Sequence, residues 1–541
     1  MRRKVWLTTA LLVPCWVIPT AAAQKSCAAL TMAKLQNATI VSAADVAAGP
    51  FTLKSPLVPP NLPPVQLPAY CRVVGIAKPS SDSDIKFEVW LPSSGWNGKF
   101  EQVGNGGFAG SIPWLAMAGA LKRGYATAGT DDGHTGSPVD ACCSLGHPEK
   151  VRDFGYRAVH ETAVNAKIIV QSFYGKRADR AYFHGCSDGG REALMEAQRF
   201  PNDFNGILAG APANYWTRLL AAAVWTEKAL LDSPASYIPA SKLPVLQKAA
   251  LSACDGLDGV KDGMIEDPMR CHFDPAVAEC KGGKDADCLK AAQVEAARKI
   301  YAGPKDKRSG RQIFPGFEPG DEATSGNWEL WITGTAPAKD ALLLAFGNGF
   351  YGDMVFENKD WSLNRTNFDT DIKLSDHKLA AILNATDPDL RGFRALGGKL
   401  IQYHGWADAA ISPRNSINYY ESVASTLGGG NEKALRKIAS FYRLFMAPGV
   451  GHCAGGSGPD SFGNYQIGIG NPPRDADHDA FTALERWVEQ SIPPERIIAT
   501  KYADGDPRKQ VIMTRPLCPY PRVAHFKGVG DSKKDSSFEC R

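Results

Sequence analysis

RAYFHGCSDGGREALMEAQRFPNDFNGILAGAPANYW, residues 180 to 216, decides how this chain is read. Ala181-Tyr182-Phe183 has the composition of a short buried strand, and from Arg191 to Arg199 the apolar residues Leu194, Met195 and Ala197 recur at helical spacing. Between them Gly185-Cys186-Ser187-Asp188-Gly189 fits G-x-S-x-G. The two glycines permit a turn so tight that a serine at its apex is pushed out above a sheet, beside the free N–H groups that open the helix. Gly206 to Pro212 then reads as the next parallel strand. The pentapeptide alone is common and fits a Gly-rich turn with a solvated serine. The strand, turn, helix and strand around it point to a nucleophile.

Working outward, Ile85, Phe87, Val89 and Leu91 alternate with Lys86 and Glu88, which predicts a half-buried strand. Lys99 to Val103 is a second strand, running into Gly104-Asn105-Gly106-Gly107-Phe108. Gly124 to Gly129 is a third, ending in Thr130-Asp131-Asp132-Gly133-His134. From Tyr156 to Phe173 the positions Val159, Ala163, Ala166, Val170 and Phe173 describe an amphipathic helix. Such alternation predicts a parallel sheet with helices on both faces. From about Tyr215 to Asp387 it gives way to helical fragments, Asp-Gly turns, paired cysteines and many aromatics. Strands return at Lys399 to Tyr403 and Phe441 to Met446, with a closing helix through Phe481, Leu484, Trp487 and Val488. The expected organisation is an α/β sheet domain over 24–214 and 388–541, divided by an inserted lid over 215–387. No structureless loop would be that long.

Residues 1–23 combine Arg2, Arg3 and Lys4, an apolar run from Val5 to Ile18 and Ala21-Ala22-Ala23, the pattern of a secretory signal peptide cleaved after Ala23. A soluble exported protein, periplasmic or secreted, is expected. Without that segment 58 Lys and Arg stand against 57 Asp and Glu, which gives no reason to expect nucleic acid or an acidic membrane as partner. Oligomeric state is not readable. Twelve cysteines remain, an even number that in an exported chain implies a disulfide framework; closeness favours Cys254–Cys271, Cys280–Cys288 and Cys518–Cys540. No Cys-x2-Cys pair has zinc-ligand spacing. The Pro-rich run Pro56 to Pro68 reads as an extended surface arm.

Acyl transfer by serine requires a base to take the hydroxyl proton and an acid to orient that base. In a parallel sheet these partners sit at the C-terminal ends of later strands. Asp408, in Gly405-Trp406-Ala407-Asp408, and His452, in Gly449-Val450-Gly451-His452-Cys453, occupy such places. Ser187, Asp408, His452 is the chain order of α/β-hydrolases. Asp131 and Asp132 also follow a strand but precede the serine. Of the other histidines, His184 is expected to bond backbone, His404 begins the loop of Asp408, and His160 lies on a helix. Oxyanion donors are expected from the backbone N–H of Asp188 and of Gly106 or Gly107; an ordinary hairpin turn is the other reading of the glycine loop. Cys186 precedes the serine and Cys453 follows the histidine, so two loops on one rim would place them to bond. A serine peptidase uses the same three residues, and a binding protein without a working serine is a further alternative.

Cys-Ser, then Asp, then His-Cys resembles the signature of the tannase/feruloyl esterase family, together with GNGGFAG at 104–110, TDDGH at 130–134, GCSDGGREAL at 185–194, PGFEPG at 315–320 and GWAD at 405–408. The resemblance implies an α/β-hydrolase fold with a large lid, the triad Ser187, Asp408 and His452, and bridges Cys186–Cys453, Cys27–Cys71, Cys254–Cys271, Cys280–Cys288 and Cys518–Cys540. Cys142 and Cys143 are left over. Asp255, Asp258 and Asp262 in CDGLDGVKDGM read alone as turns on a wet surface. The resemblance implies instead a structural Ca2+ held by them and by the carbonyls of Val260 and Met264. The implied substrates are esters of aromatic acids such as galloyl and feruloyl esters, or in some members mono(2-hydroxyethyl) terephthalate, cleaved with help from a lid arginine. Gln312 to Asn364 contains no arginine, although Arg308, Arg311 and Arg365 flank it, which favours a phenolic ester. Lid aromatics, among them Trp216, Trp225, Trp328, Trp331, Trp361, Phe346, Phe350 and Tyr351, are candidates to stack on the acyl group or to form the lid's own core.

Overall fold

The structure is a computed structural model and describes residues 25–52, 63–282, 285–429, 432–464 and 473–541. The expected signal peptide lies outside the described residues. Nine strands form one sheet: β1 (Ala38–Val46), β2 (Tyr70–Ala77), β3 (Ile85–Pro92), β4 (Lys99–Val103), β5 (Ala126–Thr130), β6 (Arg180–Cys186), β7 (Gly206–Gly210), β8 (Lys399–Gly405) and β9 (Tyr442–Ala447). Their order is β1-β2-β3-β5-β4-β6-β7-β8-β9. From β5 to β9 all neighbours are parallel, as the alternation of strands and helices predicts. The first three strands run antiparallel instead, which corrects the expectation of a wholly parallel sheet. Strands β2 and β3 are joined by a short connection, Lys78 to Asp84, which allows only antiparallel neighbours.

Helices Ala158–Tyr174 and Asp188–Arg199 pack on one face through Ile169, Val170, Leu194 and Met195. Ala480–Gln490 covers the other face, with Phe481, Leu484 and Trp487 against Tyr182, Ile401 and Tyr403. Between Gly210 and Lys399 the described residues form helices, turns and isolated bridges but no further strand. The aromatics Trp216, Phe350 and Tyr351 of the segment expected as a lid lie buried in one apolar cluster with Phe108 and Phe154, and Trp328 in another.

Three local expectations are corrected. Strand β3 is buried on both faces, because Glu88 is ion-paired with Arg72 and accepts from the Trp90 indole at 2.7 Å. The end of the Pro-rich run is no surface arm: Val65–Leu67 pairs with Gly49–Phe51 and packs on Trp90, while the stretch before it lies outside the described residues. The helix Ala480–Gln490 does not close the chain, since Ile497–Tyr502 pairs with Val511–Leu517 and Ala524–Phe526 with Phe538–Cys540. Among the described residues no helix is long and apolar enough to cross a membrane.

Candidate active site

Strands β6, β8 and β9 end on the same rim, and each hands one residue to it. After β6 the backbone of Ser187 takes φ 66°, a left-handed conformation costing a non-glycine residue on the order of 1–3 kcal/mol. The turn closes because Gly185 and Gly189 have no side chains; a Cβ on Gly185 would lie 2.4 Å from the Gly189 carbonyl oxygen. Ser187 N–H donates to the Gly210 carbonyl at 3.0 Å, and its own carbonyl accepts from Ala213, so the turn is fastened to the end of β7. The hydroxyl therefore stands at the mouth of a cavity rather than in the sheet.

His452 Nε2 lies 2.9 Å from Ser187 Oγ, and His452 Nδ1 lies 2.8 Å from Asp408 Oδ2. Asp408 is fully buried, and its Oδ1 accepts from the backbone N–H of Ala410 and Ile411 at 2.8 and 2.9 Å. Burial alone would raise this carboxyl, but the charge of His452 and the hydrogen bonds from His404 and His452 outweigh it and hold Asp408 below the usual carboxylate range. His404, read from sequence as the mere start of a loop, places Nε2 3.1 Å from the same Oδ2, with Nδ1 2.6 Å from Ser416 Oγ. The signal for it was the spacing His-x3-Asp across a strand end. His184 bonds backbone, but at the carbonyl of Asn464, 3.0 Å away, and not within its own strand-turn.

Cys186 and Cys453 are disulfide-bonded with Cα atoms 6.0 Å apart, tying the serine turn to the histidine loop. Bonds also join Cys27–Cys71, Cys254–Cys271, Cys280–Cys288 and Cys518–Cys540. Cys142 and Cys143 are free thiols with Sγ atoms 3.7 Å apart. The PGFEPG stretch is tied to the residues after the aspartate loop: Ser412 Oγ donates to the Gly316 carbonyl and Arg414 pairs with Glu318.

The cavity above Ser187 is lined by Gly107, Trp216, Trp331, Phe346, Ile411 and His452, among others, and no lysine or arginine lines it among the described residues. Trp331 sets its ring edge-on to His452, centroids 4.8 Å apart, and stacks toward Phe346. Asp188 opens the serine helix, so its N–H has no partner within that helix. Among the described residues the N–H groups of Gly106 and Gly107 donate to no other group. Gly107, not Gly106, faces the cavity, and a side chain there would strike the Pro138 carbonyl at 2.1 Å.

The acidic loop after Cys254 is arranged around an arginine. Asp255 Oδ1 accepts the N–H of Asp262 and Gly263 at 3.0 and 3.2 Å, and Asp258 Oδ1 accepts that of Val260. The fully buried Arg515 pairs with Asp262 and lies 3.8 Å from Asp258 and 3.4 Å from Glu266. Burial raises Asp258 and Asp262 and pushes Glu266 up to about 8. Three carboxyls thus face one guanidinium, with Asp255 beside them on the same loop, a surplus of oxygen donors that suits a hard cation. Carboxylates whose ligand atoms already lie within 4.8 Å of one another occur elsewhere, in Asp132, Asp188 and Glu192 and, with a histidine, in His160, Glu196 and Asp203.

A family model described as tannase and feruloyl esterase matches residues 71–541. The chain is 44% identical to an uncharacterised esterase of Xanthomonas campestris pv. campestris, over 97% of this chain and 92% of that one. It is 34% identical to a protein named probable feruloyl esterase B-2 of Aspergillus terreus, over 87% and 86% of the two chains. The crystal structure of feruloyl esterase B from Aspergillus oryzae superposes with a TM-score of 0.85 at 29% identity, covering 95% of this chain and all of that one.

Proposed function

The chain belongs to the tannase and feruloyl esterase family and is an ester hydrolase of that type, and from this premise we propose that it cleaves esters of phenolic acids through a serine-bound acyl intermediate. The observation that carries the reading is the unbroken contact from Asp408 through His452 to Ser187 Oγ. Asp408 keeps Nδ1 protonated, which leaves the lone pair of Nε2 free to take the serine proton as Oγ attacks the ester carbonyl. The resulting oxyanion accepts hydrogen bonds from the N–H of Asp188 and Gly107. His452 then returns its proton to the departing alcohol. Water, deprotonated by the same imidazole, attacks the acyl-serine carbonyl, and collapse of the second oxyanion releases the acid and restores Ser187.

The apolar wall of Trp331, Phe346 and Trp216 suits an aromatic acyl ring. It offers no cation for a second carboxylate, which supports a phenolic acyl group over a terephthalate monoester. Residues 215–387 act as a lid domain that supplies this wall. Ca2+, where bound, would be held by Asp255, Asp258, Asp262 and the carbonyls of Val260 and Met264, and would neutralise the acidic loop without touching the ester. Five disulfides support export to an oxidising compartment.

Ser187→Ala is expected to abolish hydrolysis of methyl ferulate and methyl gallate, and labelling by an active-site fluorophosphonate, with the circular dichroism spectrum unchanged. Retention of more than a few per cent of turnover would exclude the serine mechanism. A panel with caffeate, a terephthalate monoester and a peptide amide reads the acyl preference.

A further inference from the structure

The TDDGH turn after β5 has no part in the chemistry above, yet it carries a carboxylate into the floor of the site. Asp132 sits there at φ 58°, fully buried, and among the described residues no N–H or O–H points at either of its carboxyl oxygens. It faces Asp188 and Glu192 of the serine helix; the three carboxyls are at most 2% exposed and their oxygens come within 4.8 Å of one another. Arg191, also fully buried, donates Nε–H to Asp188 at 2.6 Å and one N–H each from Nη1 and Nη2 to the carbonyls of Gly155 and Phe154. If all were ionised, three negative charges would face one positive charge in a site closed to water, and buried carboxyls in that position take up protons. Asp132 and Glu192 bring carboxyl oxygens within 4.8 Å of each other, and both Asp132 oxygens and Glu192 Oε1 have no other hydrogen-bond partner among the described residues. Two carboxylates have no proton to share, whereas a carboxyl donates to a carboxylate.

The pair is attached to the glycine loop. Glu192 Oε2 accepts the N–H of Asn105 at 3.0 Å, the Asn105 carbonyl accepts from Gly189 at 2.9 Å, and its side-chain amide reaches the Thr130 carbonyl. The fit is so close that a Cβ on Gly104 would lie 2.7 Å from Glu192 Oε2. Gly107, which faces the substrate cavity, follows two residues after Asn105.

We infer that Asp132 and Glu192 share one proton and act as a positioning pair, holding the glycine loop and its oxyanion-binding N–H in register with the serine turn. The inference rests on the serine-ester reading above. A loop set loose would weaken contacts made to the oxyanion more than those made to bound substrate, so the loss falls on kcat and not on KM.

The test uses the full chain and methyl ferulate. Glu192→Ala is expected to lower kcat on the order of 10²-fold, the cost of one oxyanion donor, with KM within about three-fold. Glu192→Gln keeps an acceptor for Asn105 and offers an N–H to ionised Asp132, so it is expected to restore most of that kcat. A Glu192→Gln variant as slow as Glu192→Ala, or a Glu192→Ala variant with parental kcat, would overturn the inference. So would one equivalent of divalent metal in the parent that Glu192→Gln loses, since a cation and not a proton would then bridge the pair. Should Glu192→Ala fail to fold, infrared difference spectra of parent minus Glu192→Gln at neutral pH decide: a protonated carboxyl stretch in the parent is expected, and its absence sinks the idea. Ser187→Ala run in parallel separates the two levels, because activity surviving there removes the serine reading whatever residue 192 does.

Discussion

The covalent tie between the serine turn and the histidine loop gives the most quantitative prediction. In Cys186→Ala/Cys453→Ala the closed segment of sequence separation 267 is released. The loop-entropy relation assigns such a closure about 5–6 kcal/mol at 25 °C. Cys254–Cys271 and Cys280–Cys288 lie inside it with separations of only 17 and 8, and shortening the loop by that much changes the logarithm by about 0.1 kcal/mol. Native-state strain and residual structure in the unfolded chain reduce what is measured, so a loss of about 2–5 kcal/mol is expected. The assay is guanidinium unfolding by tryptophan fluorescence under non-reducing conditions, beside methyl ferulate kinetics. Asn464 still holds the Cys453 carbonyl at 2.7 Å and Asp408 still holds His452, so the histidine loop drifts without detaching. A displacement approaching 1 Å lowers kcat on the order of 10- to 100-fold. A stability loss below about 1 kcal/mol together with parental kcat would refute the reasoning.

Asp131 gives a pH prediction: burial pushes its carboxyl up to about 7, although Oδ1 accepts from Lys86 and Gly133. Below about pH 4 the group is neutral folded and unfolded; between about pH 4 and 7 the unfolded chain releases a proton that the folded one keeps, so stability falls as pH rises, by up to about 4 kcal/mol. Asp131→Asn is expected to flatten that slope in urea midpoints taken at pH 5 and pH 8, and an unchanged slope would count against the assignment. Trp331→Ala is expected to lower kcat/KM for methyl ferulate about three- to ten-fold and for an acetate ester less, as judged from initial rates on both. EGTA is expected to lower the melting temperature, added Ca2+ to restore it, and Asp258→Asn to abolish the response, all by scanning calorimetry.

Much of the fold and of the candidate site is legible in the sequence, for identifiable reasons. Ser187, Asp408 and His452 each follow a strand of the parallel sheet, where chain order and the common rim leave little freedom about which loops meet. His404 was passed over because its partner is set by the turn it begins, not by its neighbours in sequence. Trp331 is one aromatic among many between Tyr215 and Asp387; only packing picks it out as the ring against His452. The cluster of Asp132, Asp188 and Glu192 draws on one turn and a helix distant from it in sequence, and no periodicity records that they face each other. Strand direction is likewise absent from an alternation pattern, so β3 gives no sign of being antiparallel to its neighbours, and β1 and β2 are not among the strands the sequence reading offers.

Arg515 has a consequence in time as well as space. It stands 253 residues after Asp262, its partner, and the chain emerges vectorially from its N-terminus. At ordinary synthesis rates of 5–20 residues per second, about 10–50 s pass during which the acidic loop exists and its guanidinium does not. Through that interval the loop must stay hydrated and open, or borrow a cation. Settling of the acidic loop therefore waits for Arg515, and a nascent chain stalled before residue 515 would leave that corner loose and visible to a protease.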